Sequence, residues 1–198
     1  MSHSKATDTY LQRPIRSFVQ RTGRITEAQR RAFDALWQYY GIDYSDQPLD
    51  LAAVFGRDAH CTLEIGFGAG TSLVTTAARY PEQDFLGIEV HEPGVGRCMR
   101  EAHEAGVANL KVICHDAIEV LRDQIGDNSI DVFNLFFPDP WHKKRHHKRR
   151  IVQAEFVATL SSKLRSGGRF HVATDWPPYA EHIQLVMREQ QELQEAAS

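Results

Sequence analysis

The chain has 198 residues, 42% of them hydrophobic and 25% charged, which is enough apolar mass to bury the core of one domain and too much for intrinsic disorder. No apolar run approaches the ~18 residues of a membrane helix, and the polar start through Pro14 lacks the apolar segment of a secretory signal, so the expectation is a cytoplasmic protein without membrane contact. Cys61, Cys98 and Cys114 are odd in number and form no Cys-x-x-Cys pair, so neither a disulfide framework nor a thiolate zinc site is indicated, and they read as three reduced, buried thiols.

The net charge of −3 hides a lopsided distribution. Arg13, Arg16, Arg21, Arg24, Arg30 and Arg31 fall in one segment with a single acid, Glu27, and the run from His142 to Arg150 holds six Lys and Arg and no acid. The rest of the chain is acidic. Two basic segments on an acidic body point to a polyanionic partner, a nucleic acid, touched at defined places.

After a basic arm over residues 1–25, a single domain is expected over residues 26–198. Thr26 to Gln29 spells a capping box, followed by Phe33, Leu36, Trp37 and Tyr40 at helical spacing and by Gly41 as a stop. A polar loop from Ile42 to Leu49 comes next. Strands are then expected at Cys61 to Ile65, Asp84 to Glu89, Leu110 to Cys114, Ile130 to Phe137 and Arg169 to Thr174. Helices are expected at Thr71 to Arg79, Val95 to Ala105, Ala117 to Ile125, Arg150 to Leu164 and Pro178 to about Glu195, with Gly106 and the Gly167–Gly168 pair as helix ends. Strands separated by helices of this length require crossover connections. The fold class is therefore α/β, a doubly wound, mostly parallel sheet covered on both faces, with ligands bound at the carboxyl ends of the strands.

The residues just past each strand carry the chemistry. Leu63-Glu64-Ile65 runs into Gly66-Phe67-Gly68-Ala69-Gly70, where alternate glycines let the backbone turn tightly and approach a ligand. This is not the spacing of an NAD loop, and Glu64 beside it would repel a pyrophosphate. An acid there suits a ligand with a positive end, such as S-adenosylmethionine, whose sulfonium and ammonium are cationic. Glu89 ends the next strand, placed to accept ribose hydroxyls, and Asp116 follows the third, where it either meets the adenine or caps the next helix. The fourth ends in Phe136-Phe137-Pro138-Asp139-Pro140-Trp141, in which two prolines fix the backbone around Asp139. Glycine loop and acids together read as a Rossmann-like class I methyltransferase site. Lys143 and Asp175 complete a polar rim. His142, His146 and His147 could suggest a metal, but cations crowd them and no acid or cysteine is near, so no metal is expected.

The motifs Arg16-Ser-Phe with Arg21-x-Gly23-Arg24, Leu63-Glu-Ile-Gly-Phe-Gly, Gly87-Ile-Glu-Val-His, Cys114-His-Asp116, Phe136-Phe-Pro-Asp-Pro-Trp-His-Lys143, Lys148-Arg-Arg150 and Ala173-Thr-Asp175-Trp together resemble the bacterial tRNA (guanine-N7)-methyltransferase family, in order from about Arg16 to Met187. The resemblance implies methyl-donor contacts at Glu64, Glu89, Asp116 and Asp139, with the loop glycines Gly66, Gly68 and Gly70 beside them. It implies Asp139 as the catalytic residue and substrate contacts at Lys143 and Asp175. RNA contact would come from Arg145, His146, His147, Lys148, Arg149 and Arg150, and the target would be the variable-loop guanosine of tRNA, with no obligatory protein partner. Family members continue with further strands and a Thr-x-Phe/Tyr-Glu motif, of which this sequence, ending at Ser198, contains no equivalent.

Three alternatives stay open on the residues alone. Asp139-Pro-Trp is similar to the Asp-Pro-Pro-Tyr loop of exocyclic-amine methyltransferases, although Pro138 and the basic run fit the first family better. A Rossmann oxidoreductase is disfavoured by the glycine spacing and the lack of a Tyr-x-x-x-Lys pair. A protein that binds tRNA and S-adenosylmethionine without turnover is the third.

Overall fold

The regular alternation of short β-branched runs with amphipathic segments builds one six-stranded sheet. The computed structural model describes residue 17, residues 27–190 and residues 193–194. Helix α1 (Glu27–Tyr40) leads into β1 (Gly41–Ile42), and the short α2 (Leu51–Phe55), capped by the Asp50 carboxylate, precedes β2 (Cys61–Ile65). Then come α3 (Thr71–Arg79), β3 (Asp84–Ile88), α4 (Glu92–Glu104), β4 (Leu110–Ile113), α5 (Ala117–Asp123) and β5 (Ile130–Phe136). A 3₁₀ helix (Lys144–Arg149), α6 (Ala154–Lys163), β6 (Leu164–Ala173) and α7 (Pro177–Arg188) follow.

All pairings are parallel, in the order β1-β4-β3-β2-β5-β6. The sequence thus runs outward from β2 in one direction and then returns to start again at β5, so the switch point lies between β2 and β5. At that place the crossovers leave to opposite faces and a crevice opens at the strand tips.

Each face of the sheet has its own core. Leu63, Ile65, Leu86, Ile88 and Phe133 point to the face covered by α5, α6 and α7, where they meet Leu121, Phe156, Leu160 and Tyr179. Phe85 and Val112 point to the other face, against Leu73, Val95 and Met99 of α3 and α4. Truncating a wholly buried member such as Leu63 to Ala is expected to cost about 2–5 kcal/mol, because the close-packed sheet cannot collapse around the void. At the opposite end of the sheet from the crevice, the buried Asp84 carboxylate accepts from Arg57 Nε at 2.9 Å and from a terminal guanidinium nitrogen at 2.6 Å.

The structure differs from the sequence reading in several places. Strand β6 begins at Leu164 rather than Arg169, and its register against β5 slips between Ile130 and Val132, so Gly167, with φ of 79°, stands inside an irregular strand instead of ending a helix. Helix α6 begins at Ala154, because Arg150 has extended backbone at the end of the 3₁₀ helix. The final helix stops at Arg188. Strand β1 and helix α2 were not expected, being too short to show a period. The expected basic arm apart from Ser17, Thr26 of the expected capping box and residues 191, 192 and 195–198 lie outside the described residues. Among the described residues no helix is long and apolar enough to cross a membrane.

Candidate active site

The glycine loop follows β2 at the switch point. Gly66, Gly68 and Gly70 have φ of 73°, 60° and 77°, all in the left-handed region that a side chain makes costly, so the alternate glycines are what allow this loop. Helix α4 presses on it so closely that a Cβ on Gly94 would sit 2.2 Å from the Gly68 carbonyl oxygen. Glu89, one residue past β3, ties the loop to its neighbour. One carboxylate oxygen accepts from the Gly68 amide at 2.9 Å, and the other accepts from the amides of Val90 at 2.6 Å and His91 at 3.0 Å.

A cavity of about 220 Å³ opens beside this loop, across the tips of β2, β3, β4 and β5. Gly66, Glu89, Asp116, Phe137 and Asp139 line it together with Ser17. Asp116 is also the N-cap of α5, accepting from the Ile118 amide at 3.0 Å, so the capping role and a place on the cavity wall coincide in one side chain. His115 lines the same end of the cavity. Its ring stacks on Tyr44 at 3.7 Å between centroids, and its Nε2 meets the Glu119 carboxylate at 2.5 Å.

The fourth acid is arranged differently. Glu64 on β2 is 7% exposed, has no hydrogen-bond partner among the described residues, and lies beneath the glycine loop rather than on the cavity wall. Burial pushes its carboxyl up to about 7. Asn134, its register partner on β5, carries a buried Oδ1 that is likewise without a partner. Gly68 and Gly70 shape the loop without lining the cavity.

The loop that presents Asp139 is clamped on both sides. Phe137 and Trp141, with φ of 51° and 45°, are left-handed residues flanking Pro138-Asp139-Pro140. The Phe137 amide donates to the Ala173 carbonyl at 2.8 Å, extending the β5–β6 pairing past its last residue. From below, Arg150 Nε donates to the Pro140 carbonyl at 2.9 Å while its guanidinium lies 4.8 Å from the centre of the Tyr179 ring. The Trp141 indole donates to the Ser17 carbonyl at 3.0 Å, and the Arg149 guanidinium lies over the same indole at 3.9 Å.

Of the residues expected to contact RNA, Arg150 is corrected. At 3% exposure its charge faces the protein, where it holds the Asp139 loop, and it presents nothing to a phosphate. Lys143, Lys144, Arg145 and Lys148 are exposed on the same segment, and His146, His147 and Arg149 are half-buried. Partial burial, with the neighbouring cations, holds His146 below the ordinary histidine range. Lys143 and Asp175 stand outside the cavity lining, Asp175 exposed two residues past β6. The three thiols are free, and burial pushes Cys61 and Cys98 up to about 12 and Cys114 to about 11, so none is a nucleophile near neutral pH. Phe137, Tyr44 and Asn134 were given no role from the sequence, whereas His115 was read with Asp116 at the tip of its strand. The left-handed turn of Phe137 has no local signal, because a Phe-Phe pair at a strand end reads as more strand.

A family model described as "Putative methyltransferase" matches residues 58–198. Among curated proteins, the tRNA (guanine-N(7)-)-methyltransferase of Sodalis glossinidius is 63% identical over 175 residues, covering 88% of this chain and 73% of its own length. That of Yersinia enterocolitica is 61% identical with the same coverage. Among solved structures, precorrin-6y C5,15-methyltransferase from Geobacter metallireducens superposes with a TM-score of 0.53 at 10% identity, over 86% of this chain and 73% of its own. A SAM-dependent O-methyltransferase from Thermotoga maritima gives 0.51 at 15% identity, over 70% and 47%. At such identities the likeness is one of fold, a Rossmann-like α/β methyltransferase sheet.

Proposed function

This chain belongs to the tRNA (guanine-N7)-methyltransferase family, and from that premise we propose how its cavity performs the reaction. It is an enzyme that transfers a methyl group to N7 of guanine in tRNA. The observation that carries the site assignment is the lining of the switch-point cavity, with Glu89, Asp116 and Asp139 on its wall and no Lys or Arg among the described lining residues. Such a wall repels phosphates and accepts a dipolar ligand with cationic groups and free hydroxyls. S-adenosylmethionine fits that donor set and, when bound, supplies the methyl group as a sulfonium substituent.

The residues divide the work along the cavity. Glu89 accepts the ribose hydroxyls with the lone pairs its backbone contacts leave, and Asp116 accepts at the adenine end beside His115. Glu64, buried under the glycine loop, provides the negative charge that an ammonium group requires. Asp139, held between its prolines, faces the methyl end. Guanine N7 has a lone pair and carries no proton, so transfer demands alignment rather than a base. Asp139 aligns the guanine and stabilises the positive charge that it acquires, with Asp175 and Lys143 at the outer rim. The exposed Lys143, Lys144, Arg145 and Lys148, with the arm arginines, hold the tRNA backbone so that the variable-loop guanosine enters. The protein works in the cytoplasm as a single domain over residues 26–198 behind its basic arm.

Incubation with labelled S-adenosylmethionine and bulk tRNA, followed by mapping of the modified base, tests this reading. N7-methylguanosine in the variable loop supports it. Label on an exocyclic amine, or donor and tRNA binding without transfer, overturns it.

A further inference from the structure

Phe137 combines properties that packing does not explain. The residue is 66% exposed, so it recovers little of the free energy that burying a phenyl group releases. Its φ of 51° lies in the left-handed region, where a bulky residue is strained. The hydrogen bond that its amide donates to the Ala173 carbonyl holds that backbone in place, so the ring is presented rather than loose. Trp141, with a similar φ, contrasts with it: the Ser17 carbonyl and the Arg149 guanidinium occupy its indole. No ring or cation occupies Phe137 among the described residues, and it lines the cavity together with its chain neighbours Pro138 and Asp139.

We propose that the exposed face of Phe137 stacks on the target guanine and stabilises the positive charge the base acquires at N7, an inference that rests on the guanine-N7 reading above. In the transfer, the N7 lone pair forms the new bond to the methyl carbon while the carbon–sulfur bond breaks and its electron pair returns to sulfur. No proton moves. The base leaves with one positive charge and the sulfonium becomes a neutral thioether. An aromatic face carries negative potential, so it attracts the methylated ring more than the unmethylated one. The contact therefore strengthens along the reaction, which is the condition for raising the rate rather than only the affinity. Asp139 supplies the formal charge at the edge of the base, and Phe137 supplies a face.

The test uses Phe137→Leu, Phe137→Tyr and Phe137→Gly in the full chain. Leu keeps apolar bulk and discards the ring, and it should lower kcat/KM for tRNA by roughly 5- to 150-fold, the span of base–aromatic stacking. Phe137→Tyr should keep the activity. Donor affinity by calorimetry should fall by less than kcat/KM does in the Leu and Gly variants, because the ring lines the cavity while Glu89, Asp116 and Asp139 stay in place. Phe137→Gly relieves the left-handed strain, so its Tm should stay within about 2 °C of the parent or exceed it while activity is lost. As a readout without turnover, the parent should bind 7-methylguanosine monophosphate more tightly than guanosine monophosphate, and Phe137→Leu should lose that preference. Full activity in the Leu variant, a loss of donor affinity as large as the loss of kcat/KM, a Tm drop of more than about 6 °C in the Gly variant, or no nucleotide preference in the parent would each overturn the proposal. A parent that does not methylate guanine N7 defeats the underlying reading instead, and the nucleotide preference still decides the stacking.

Discussion

The Glu89 carboxylate reaches back from the tip of β3 to the Gly68 amide, 2.9 Å away, and so closes the glycine loop with the same group that faces the cavity. Loop geometry and ligand recognition are thereby coupled in one residue.

Because of that coupling, Glu89→Gln is a cleaner probe than Glu89→Ala: its one remaining acceptor oxygen can keep the amides of Val90 and His91, whereas Ala releases these and the Gly68 amide together. Loss of one charged hydrogen bond, at about 1.5–3 kcal/mol, should weaken S-adenosylmethionine binding by roughly 10- to 150-fold in the Gln variant. Calorimetry reads this directly. Unchanged donor affinity would remove Glu89 from the site.

Glu64 makes the donor-free protein sensitive to pH. Its carboxyl is raised from 4.5 to about 7 by burial, so the folded state disfavours the ionised form. The stability it contributes is fully present below pH 4.5 and is lost as pH rises to about 7, after which it stays level; the displacement corresponds to roughly 3 kcal/mol. Denaturant titrations of the parent and Glu64→Gln should diverge over that window, with the Gln variant more stable at pH 8. Donor binding at pH 6 should also release a proton in the parent and not in the variant. Parallel stability curves would show that Glu64 ionises freely.

Arg150 and Lys148 should separate structure from RNA contact. Lys148→Ala should leave Tm unchanged and flatten the dependence of log tRNA affinity on log salt by about 0.7 to 0.9. Arg150→Ala should leave the salt slope unchanged, because the guanidinium faces Tyr179, and should destabilise the protein by about 1–3 kcal/mol through the uncovered Pro140 carbonyl. Filter binding over a salt series and thermal melts decide between them. A salt slope that falls in Arg150→Ala would return that residue to the RNA surface.

The strands and their tips were legible because parallel crossovers force long helical periods between short apolar runs, and because acids after strands are easy to find. Hence Glu89, Asp116 and Asp139 were found to share one cavity wall. The role of Arg150 was not legible. A run of six cations reads uniformly as a charged surface, and only the 3₁₀ turn, which rotates its last member under the Pro140 carbonyl, separates Arg150 from Lys148. Glu64 read as a ligand group at a strand tip, and what the sequence did not show is its burial, which comes from the neighbours that tertiary packing brings around β2. Phe137 was hidden because a left-handed residue other than glycine is imposed by the tertiary contacts around it.

Under the proposed function, Asp139 acts on the guanine rather than merely shaping its turn. Asp139→Asn keeps the side chain's size and removes its charge, leaving Pro138, Pro140 and the Arg150 clamp in place. Single-turnover methyl transfer to tRNA, measured at saturating S-adenosylmethionine and saturating tRNA, isolates the chemical step from both binding events. The rate constant should fall by ~10²-fold or more while tRNA affinity is retained. A rate constant equal to the parent's would leave Asp139 as a turn residue with no part in the transfer.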